Sequence, residues 1–180
     1  MGNRARTSGL QLPQLEATVR PATMADAVDM APRLRQADLA EIKAHSNNEP
    51  AQSLQHGVYW SEPAYTVEFL GKPAAIFGVV PVKQGDFGWD WPTGHPHPSG
   101  SVWLLGTDDI PLFSRRFLRH SREWLAELEM RYRVLGNMVD VRNTAHVRWI
   151  EWLGFTMLDT IDYGPFNLPF QRFYKESKRV

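Results

Sequence analysis

The sequence predicts an α+β fold: one domain with a mixed, mostly antiparallel sheet flanked by helices. Three observations carry this. Short segments of alternating or continuous apolar residues are interleaved with stretches whose apolar residues recur every three or four positions, so strands and helices share one chain. The 180 residues suffice for one well-buried core and hardly for two. Hydrophobic residues make up 43% of them, as in a globular chain rather than a disordered one.

Residues 1–14 read as an arm, with Gly9 and Pro13 as breakers. The arm is either a loose tail or a segment that orders on a partner, with Arg4, Arg6, Leu10 and Leu12 as its contacts. The domain proper spans 15–176, and 177–180 is a C-terminal tail. Leu15 to Arg20 alternates as a first strand, and Thr23 with Asp26 resembles a capping box opening a helix. The helical run to His45 should break at Pro32. Glu49 to Trp60 reads as another short helix with Pro50 in its first turn. Ala64–Leu70 and Pro73–Val82 form a hairpin about a Gly71-Lys72 turn, and the second strand is apolar enough to be central. Gly85 to Gly100 is a turn-rich loop. Ser101–Leu105 is a buried strand, Leu112–Tyr132 a long helix, Val134–Val141 a strand, Asn143–Leu153 a helix, and Phe155–Ile161 and Leu168–Tyr174 the last strands. The strands at 101–105 and 134–141 should be parallel neighbours joined through the long helix.

Composition excludes several classes of function. With no cysteine there is no disulfide, no thiolate nucleophile and no zinc–cysteine site. Zero formal net charge argues against a general nucleic-acid binder and gives little protection against self-association, leaving a homo-oligomer open. No apolar run reaches the ~20 residues a membrane helix needs. His95 and His97 without a third ligand make a poor metal signature, so no metal is expected. Ser114 and Ser121 have no placed base, and no Gly-x-Ser-x-Gly, Walker or dinucleotide motif occurs. Phe87, Trp89 and Trp91 are either partner-binding anchors or a lid over the sheet.

The segment NTAHVRWIEWLGF, Asn143 to Phe155, follows the strand MVDV. It resembles the N-x-x-A-x-x-x-Y-x-x-x-G-F segment of the GNAT superfamily of acyl-CoA N-acyltransferases, with Asn143 and Gly154-Phe155 at matching positions. The opening LEATVRPATMADAVDM is similar to a GNAT first strand and helix. More narrowly, LLGTD, FLRHSREWL, NMVDVRN and RWIEWLGF resemble a small family of GNAT-like tailed-phage proteins. These are usually described as internal virion or structural proteins and sometimes labelled acetyltransferases.

The departures from the GNAT pattern bear on chemistry. The superfamily's diphosphate loop, R/Q-x-x-G-x-G/A, corresponds to Gly106–Pro111, which keeps one glycine and places Asp108 and Asp109 where carboxylates would cap the helix and repel a diphosphate. Arg115, Arg116, Arg119 and Arg122 sit in the first half of the long helix, against its dipole; they should pair with Asp108, Asp109 or other acids, or meet an anion or an acidic partner surface. Glu127–Arg131 and Glu129–Arg133 have helical pair spacing. The tyrosine that protonates the leaving thiolate in many GNAT enzymes is Ile150 here, which has no proton to give.

The remaining acid–base candidates are His146, expected as a half-exposed helix residue, and Glu68, with Asp140 a further possibility. Any acyl-CoA would be held by Leu105, Gly106, Ser114, Arg115 and Asn143. The reading that follows is a phage virion-associated structural or assembly protein on a catalytically degenerate GNAT fold. It would act without a cofactor, bind other phage structural proteins, and reside in the virion and in host cytoplasm during assembly. The alternative is an acetyl-CoA-dependent N-acetyltransferase acting on a host or phage amine. The deciding feature is the gap between the strands at 101–105 and 134–141: open for a pantetheine arm, or filled by a side chain such as that of Trp103.

Overall fold

The first helix begins where Thr23 accepts a hydrogen bond from the Asp26 N–H while Asp26 reaches back to the Thr23 N–H, a complete capping box. The structure, a computed structural model, describes residues 17–83 and 91–177; the side chains of Ser114, Arg115, Arg116 and Leu118 lie outside the description. In chain order the elements are β1 (Ala17–Pro21), α1 (Met24–Met30), α2 (Gln36–His45), α3 (Pro50–Trp60), β2 (Ala64–Phe69) and β3 (Lys72–Pro81). Then come β4 (Gly100–Gly106), α4 (Ile110–Glu129), β5 (Val134–Asp140), α5 (Thr144–Trp152), β6 (Thr156–Tyr163) and β7 (Leu168–Glu176). Pro32 falls in a 3-10 turn, Ala31–Arg33, that separates α1 from α2.

The seven strands form one sheet in the order β1-β2-β3-β4-β5-β7-β6, antiparallel throughout except for the β4–β5 pair. The β2–β3 turn is centred on Leu70 and Gly71, with φ of 52° and 73°, and not on Gly71-Lys72. Two positive-φ residues make the type of turn whose twist matches paired strands, and Gly71 removes the steric cost at one of them.

Helices cover both faces. Ile76, Trp103 and Leu105 point to the face where Met30, Ile42 and Leu54 of α1–α3 pack. Val79, Leu135 and Val139 point to the other, against Leu125 and Leu128 of α4 and Ile150 of α5. Phe77 and Leu104 extend that second core under Phe113. At the sheet's β1 end, Arg20 bridges Asp26, at 2.7 Å and 2.8 Å, to Glu68, at 3.0 Å. The Arg20 guanidinium holds the Asp26 carboxyl well below the usual carboxylate range, helped by Thr23 and Thr66 and opposed by burial.

The charge pairs of α4 differ in part from expectation. Glu127 and Arg131 pair at 3.9 Å, but Glu129 faces Lys175 of β7, and Arg133 faces Glu176. Arg122 pairs with neither aspartate. It stacks over the Trp152 ring, 4.1 Å from the centroid, and donates to the Trp152 carbonyl at 3.1 Å. In the observed helix Arg122 lies in the C-terminal half of α4 rather than the first half, and it caps the C-terminal end of α5, where positive charge is favourable.

Candidate functional site: a cleft through the sheet

β4 and β5 are in register at Gly100↔Leu135 and Ser101↔Gly136, and there their pairing ends. The bonds Thr107 N–H to Ala74 O and Val82 N–H to Ser99 O fix the phase of the β3–β4 ladder. Val102, Leu104 and Gly106 accordingly turn their backbone groups away from β3 and toward the gap. Val102 C=O accepts from Asn137 Nδ2 at 2.7 Å. Gly106 C=O accepts from the Arg35 N–H at 3.0 Å, and its N–H donates to Asp38 Oδ2 at 2.8 Å. Between them the Leu104 N–H and C=O face the opening, a piece of strand edge unpaired among the described residues and of the kind that binds an extended amide-bearing ligand.

The gap is open. A cavity of about 670 Å³ runs through it, lined on one side by Trp103, Leu105, Ile42 and His45 and on the other by Phe117, Trp124, Trp149 and Ile150. This is the size of a small-molecule site. Trp103 does not fill the gap: its ring lies against Gly57 of α3, where a Cβ would come within 2.7 Å of it, and its Nε1 donates to Ser61 Oγ at 2.8 Å.

Polar groups converge at one end of the cavity. His146, in the first turn of α5, has a side chain only 12% exposed, so it is not the half-exposed residue its sequence context suggested. Its ring stacks on Trp149, centroids 5.7 Å apart, and its Nδ1 lies 3.6 Å from Glu41 Oε2 of α2. That is an ion-pair distance and too long for a hydrogen bond; Nδ1 has no hydrogen-bond partner among the described residues. The same Glu41 oxygen accepts from Asn143 Nδ2 at 2.9 Å, and Oε1 from the Asp140 N–H at 3.5 Å. Burial pushes the Glu41 carboxyl up, but His146, Asn143 and the Asp140 N–H together outweigh it, and the net shift is downward. His45, one turn along α2, is pushed down by burial, and its ring packs against Tyr163 and Phe170.

Other sequence candidates fall elsewhere. Glu68 is committed to Arg20 at the β1–β2 edge and does not line the cavity, which removes it as a catalytic base. Asp140 is held by Arg142 at 2.9 Å. Asn143 caps α5 by accepting the His146 N–H and holds Glu41 through its Nδ2. Leu105 lines the cavity, while the Gly106 N–H and C=O are already used. Trp91 packs against Tyr174 of β7 and His97, so it is part of a cover over the sheet rather than a projecting anchor. Arg4, Arg6, Leu10, Leu12, Phe87 and Trp89 lie outside the described residues, as do the side chains of Ser114 and Arg115. Among the described residues no group of three or more His, Cys, Asp and Glu residues is arranged to hold a metal ion, and no helix is long and apolar enough to cross a membrane.

The start of α4 does not suit a diphosphate. The Asp109 N–H is bonded to Thr107 Oγ1, the Ile110 N–H to Thr107 O and the Leu112 N–H to Asp109 O, while Pro111 has none to give. Asp108 and Asp109 add negative charge at the same place. Among the described residues, the α4 N-terminus thus offers a diphosphate bonded N–H groups at 109, 110 and 112 and two carboxylates.

This architecture recurs among solved structures. The aminoglycoside acetyltransferase AAC(6')-Ib, solved with ribostamycin and coenzyme A, superposes with a TM-score of 0.64 at 14% identity, covering 91% of this chain and 98% of that one. The ribosomal-protein-S18-alanine N-acetyltransferase from Escherichia coli gives 0.60 at 13% identity, over 92% and 96%. A putative acetyltransferase from Salmonella typhimurium, solved with acetyl-CoA, gives 0.60 at 16% identity, over 92% and 96%. The fold is that of the GNAT acetyltransferases. No family model and no curated protein matches the sequence. At these identities the likeness is one of fold, and the chemistry rests on the cleft's own residues.

Proposed function

We propose that the chain is a GNAT-type N-acyltransferase, moving an acyl group from a pantetheine-type thioester to a primary amine. The observation that carries this is the divergence of β4 from β5, which opens a cavity through the sheet with a histidine–carboxylate pair at its wall. Solved structures of the same fold hold coenzyme A or acetyl-CoA, which supports a thioester of that kind as donor. A thioester supplies an electrophilic carbonyl and a sulfur leaving group.

The residues of this chain do the rest. The Leu104 N–H and C=O align the arm along β4, and the apolar walls exclude water. As the amine nitrogen bonds to the carbonyl carbon, its excess proton passes to His146. Glu41, held anionic by Asn143 and the Asp140 N–H, orients the imidazole and stabilises its charged form. The C–S bond then breaks, and His146 returns the proton to sulfur. Ile150, buried at 4% exposure, cannot supply that proton, so one imidazole serves both steps. Because the described N–H groups of residues 109, 110 and 112 are bonded within the chain and Asp108 and Asp109 flank them, donors with and without the diphosphate should bind alike. Calorimetry with acetyl-CoA and with S-acetyl-pantetheine tests this. Affinities within a few-fold of one another support the reading; no binding of either overturns it.

A second reading keeps the fold and gives up turnover: a phage virion protein that binds other structural proteins of the particle. Ile150 and the Asp108–Asp109 pair favour it, as does the sequence resemblance. The acetyltransferase neighbours favour acyl transfer over it.

A further inference from the structure

We infer that the acceptor is a monoamine carried on a flat apolar body, of the arylalkylamine class, and not a polyamine or aminosugar. This rests on the acyl-transfer reading and names the substrate of the same cleft. Among the described residues that line the cavity, Glu41 is the one carboxylate, and neither lysine nor arginine is present. Glu41 is also already engaged, by Asn143, by the Asp140 N–H and by its pairing with His146. A substrate with several ammonium groups would bring each extra charge into a cavity whose described lining holds no further acid to meet it, and an unpaired buried charge is costly. A single amine need only reach His146.

The α2–α3 side of the cavity is shaped for a ring. Trp103 is fixed edge and face by Ser61 and Gly57. Trp60, 53% exposed, lines the cavity from the last turn of α3, and its ring lies 6.2 Å from that of His56, another lining residue. Burial keeps His45 toward its uncharged form, so this wall repels no apolar ring and attracts no second cation. Aromatic side chains gain most by stacking on planar partners.

The test is binding of tryptamine and of spermidine to the full chain at pH 8, by calorimetry and without any thioester. Tryptamine is expected to bind at least tenfold more tightly. Ser53→Glu places a carboxylate on the lining of α3 and should narrow that ratio by strengthening spermidine. Equal or tighter binding of spermidine by the unaltered chain, or no binding of either amine, overturns the assignment. Because no donor is present, the result is separate from turnover. Tight tryptamine binding without acylation contradicts the reaction and leaves the acceptor class standing. Acylation of spermidine in preference to tryptamine contradicts the class and leaves the reaction standing.

Discussion

His146 Nδ1 lies 3.6 Å from the carboxylate of Glu41, and Asn143 donates to that carboxylate at 2.9 Å. The pair joins the start of α5 to the middle of α2 across the open end of the β4–β5 gap. Its members come from distant parts of the chain, and the fold brings them to one wall of the cavity. If one imidazole both takes and returns the proton, its loss should cost more than that of any other lining residue.

His146→Ala should lower the rate of acyl transfer by about two to four orders of magnitude, the range for a general acid–base group. Melting temperature should change little, because His146 Nδ1 makes no hydrogen bond among the described residues. Thiol release and a thermal melt on the same preparation check both halves.

Glu41→Gln should leave the imidazole in place but remove the charge that stabilises its protonated form. We expect a smaller loss than for His146→Ala and a pH–rate profile whose acidic limb moves to lower pH, because the imidazole must be neutral to take the amine's proton. An unshifted profile would show that Glu41 does not act on the imidazole.

Stability should fall on acidification. Glu41 and Asp26 both have folded-state carboxyls held below their ordinary range. A depressed carboxyl stabilises the fold above its unfolded pKa and loses that contribution as pH falls through the folded one. Denaturant midpoints should thus be flat near neutrality and decline below the ordinary carboxylate range. Asp26→Asn, which weakens the pairing with the partly exposed Arg20, should cost about 1–3 kcal/mol and remove part of that decline.

Ile150→Tyr restores the hydroxyl of the GNAT motif but enlarges a side chain packed among Leu125, Leu128 and Phe155. Overpacking should cost about 1–3 kcal/mol, with turnover unchanged or lower. A rise in turnover would mean that the proton for sulfur is limiting and that His146 does not supply it.

Most of the fold is legible in the sequence because its signals are local. Thr23 with Asp26 starts α1, Pro32 ends it, and Asn143 and Gly154 bracket α5. The Leu70–Gly71 turn was displaced by one residue because a non-glycine residue takes a positive φ there, which composition does not announce. The site is less legible. Ile150 stands out against a motif, but Glu41 reads as an ordinary charged helix residue beside Leu39 and Ile42. Its partner Asn143 lies 102 positions away, and only the folded sheet places them together. The reach of Asn137 across the gap to Val102 and the burial of Asp38 against Gly106 are tertiary in the same way.

The most direct measurement is mass spectrometry of the amine after incubation with S-acetyl-pantetheine and the full chain. The account predicts an N-acetylated product that accumulates with time and disappears with His146→Ala. Absence of product from the unaltered chain, with the thioester intact and the fold verified, would contradict it.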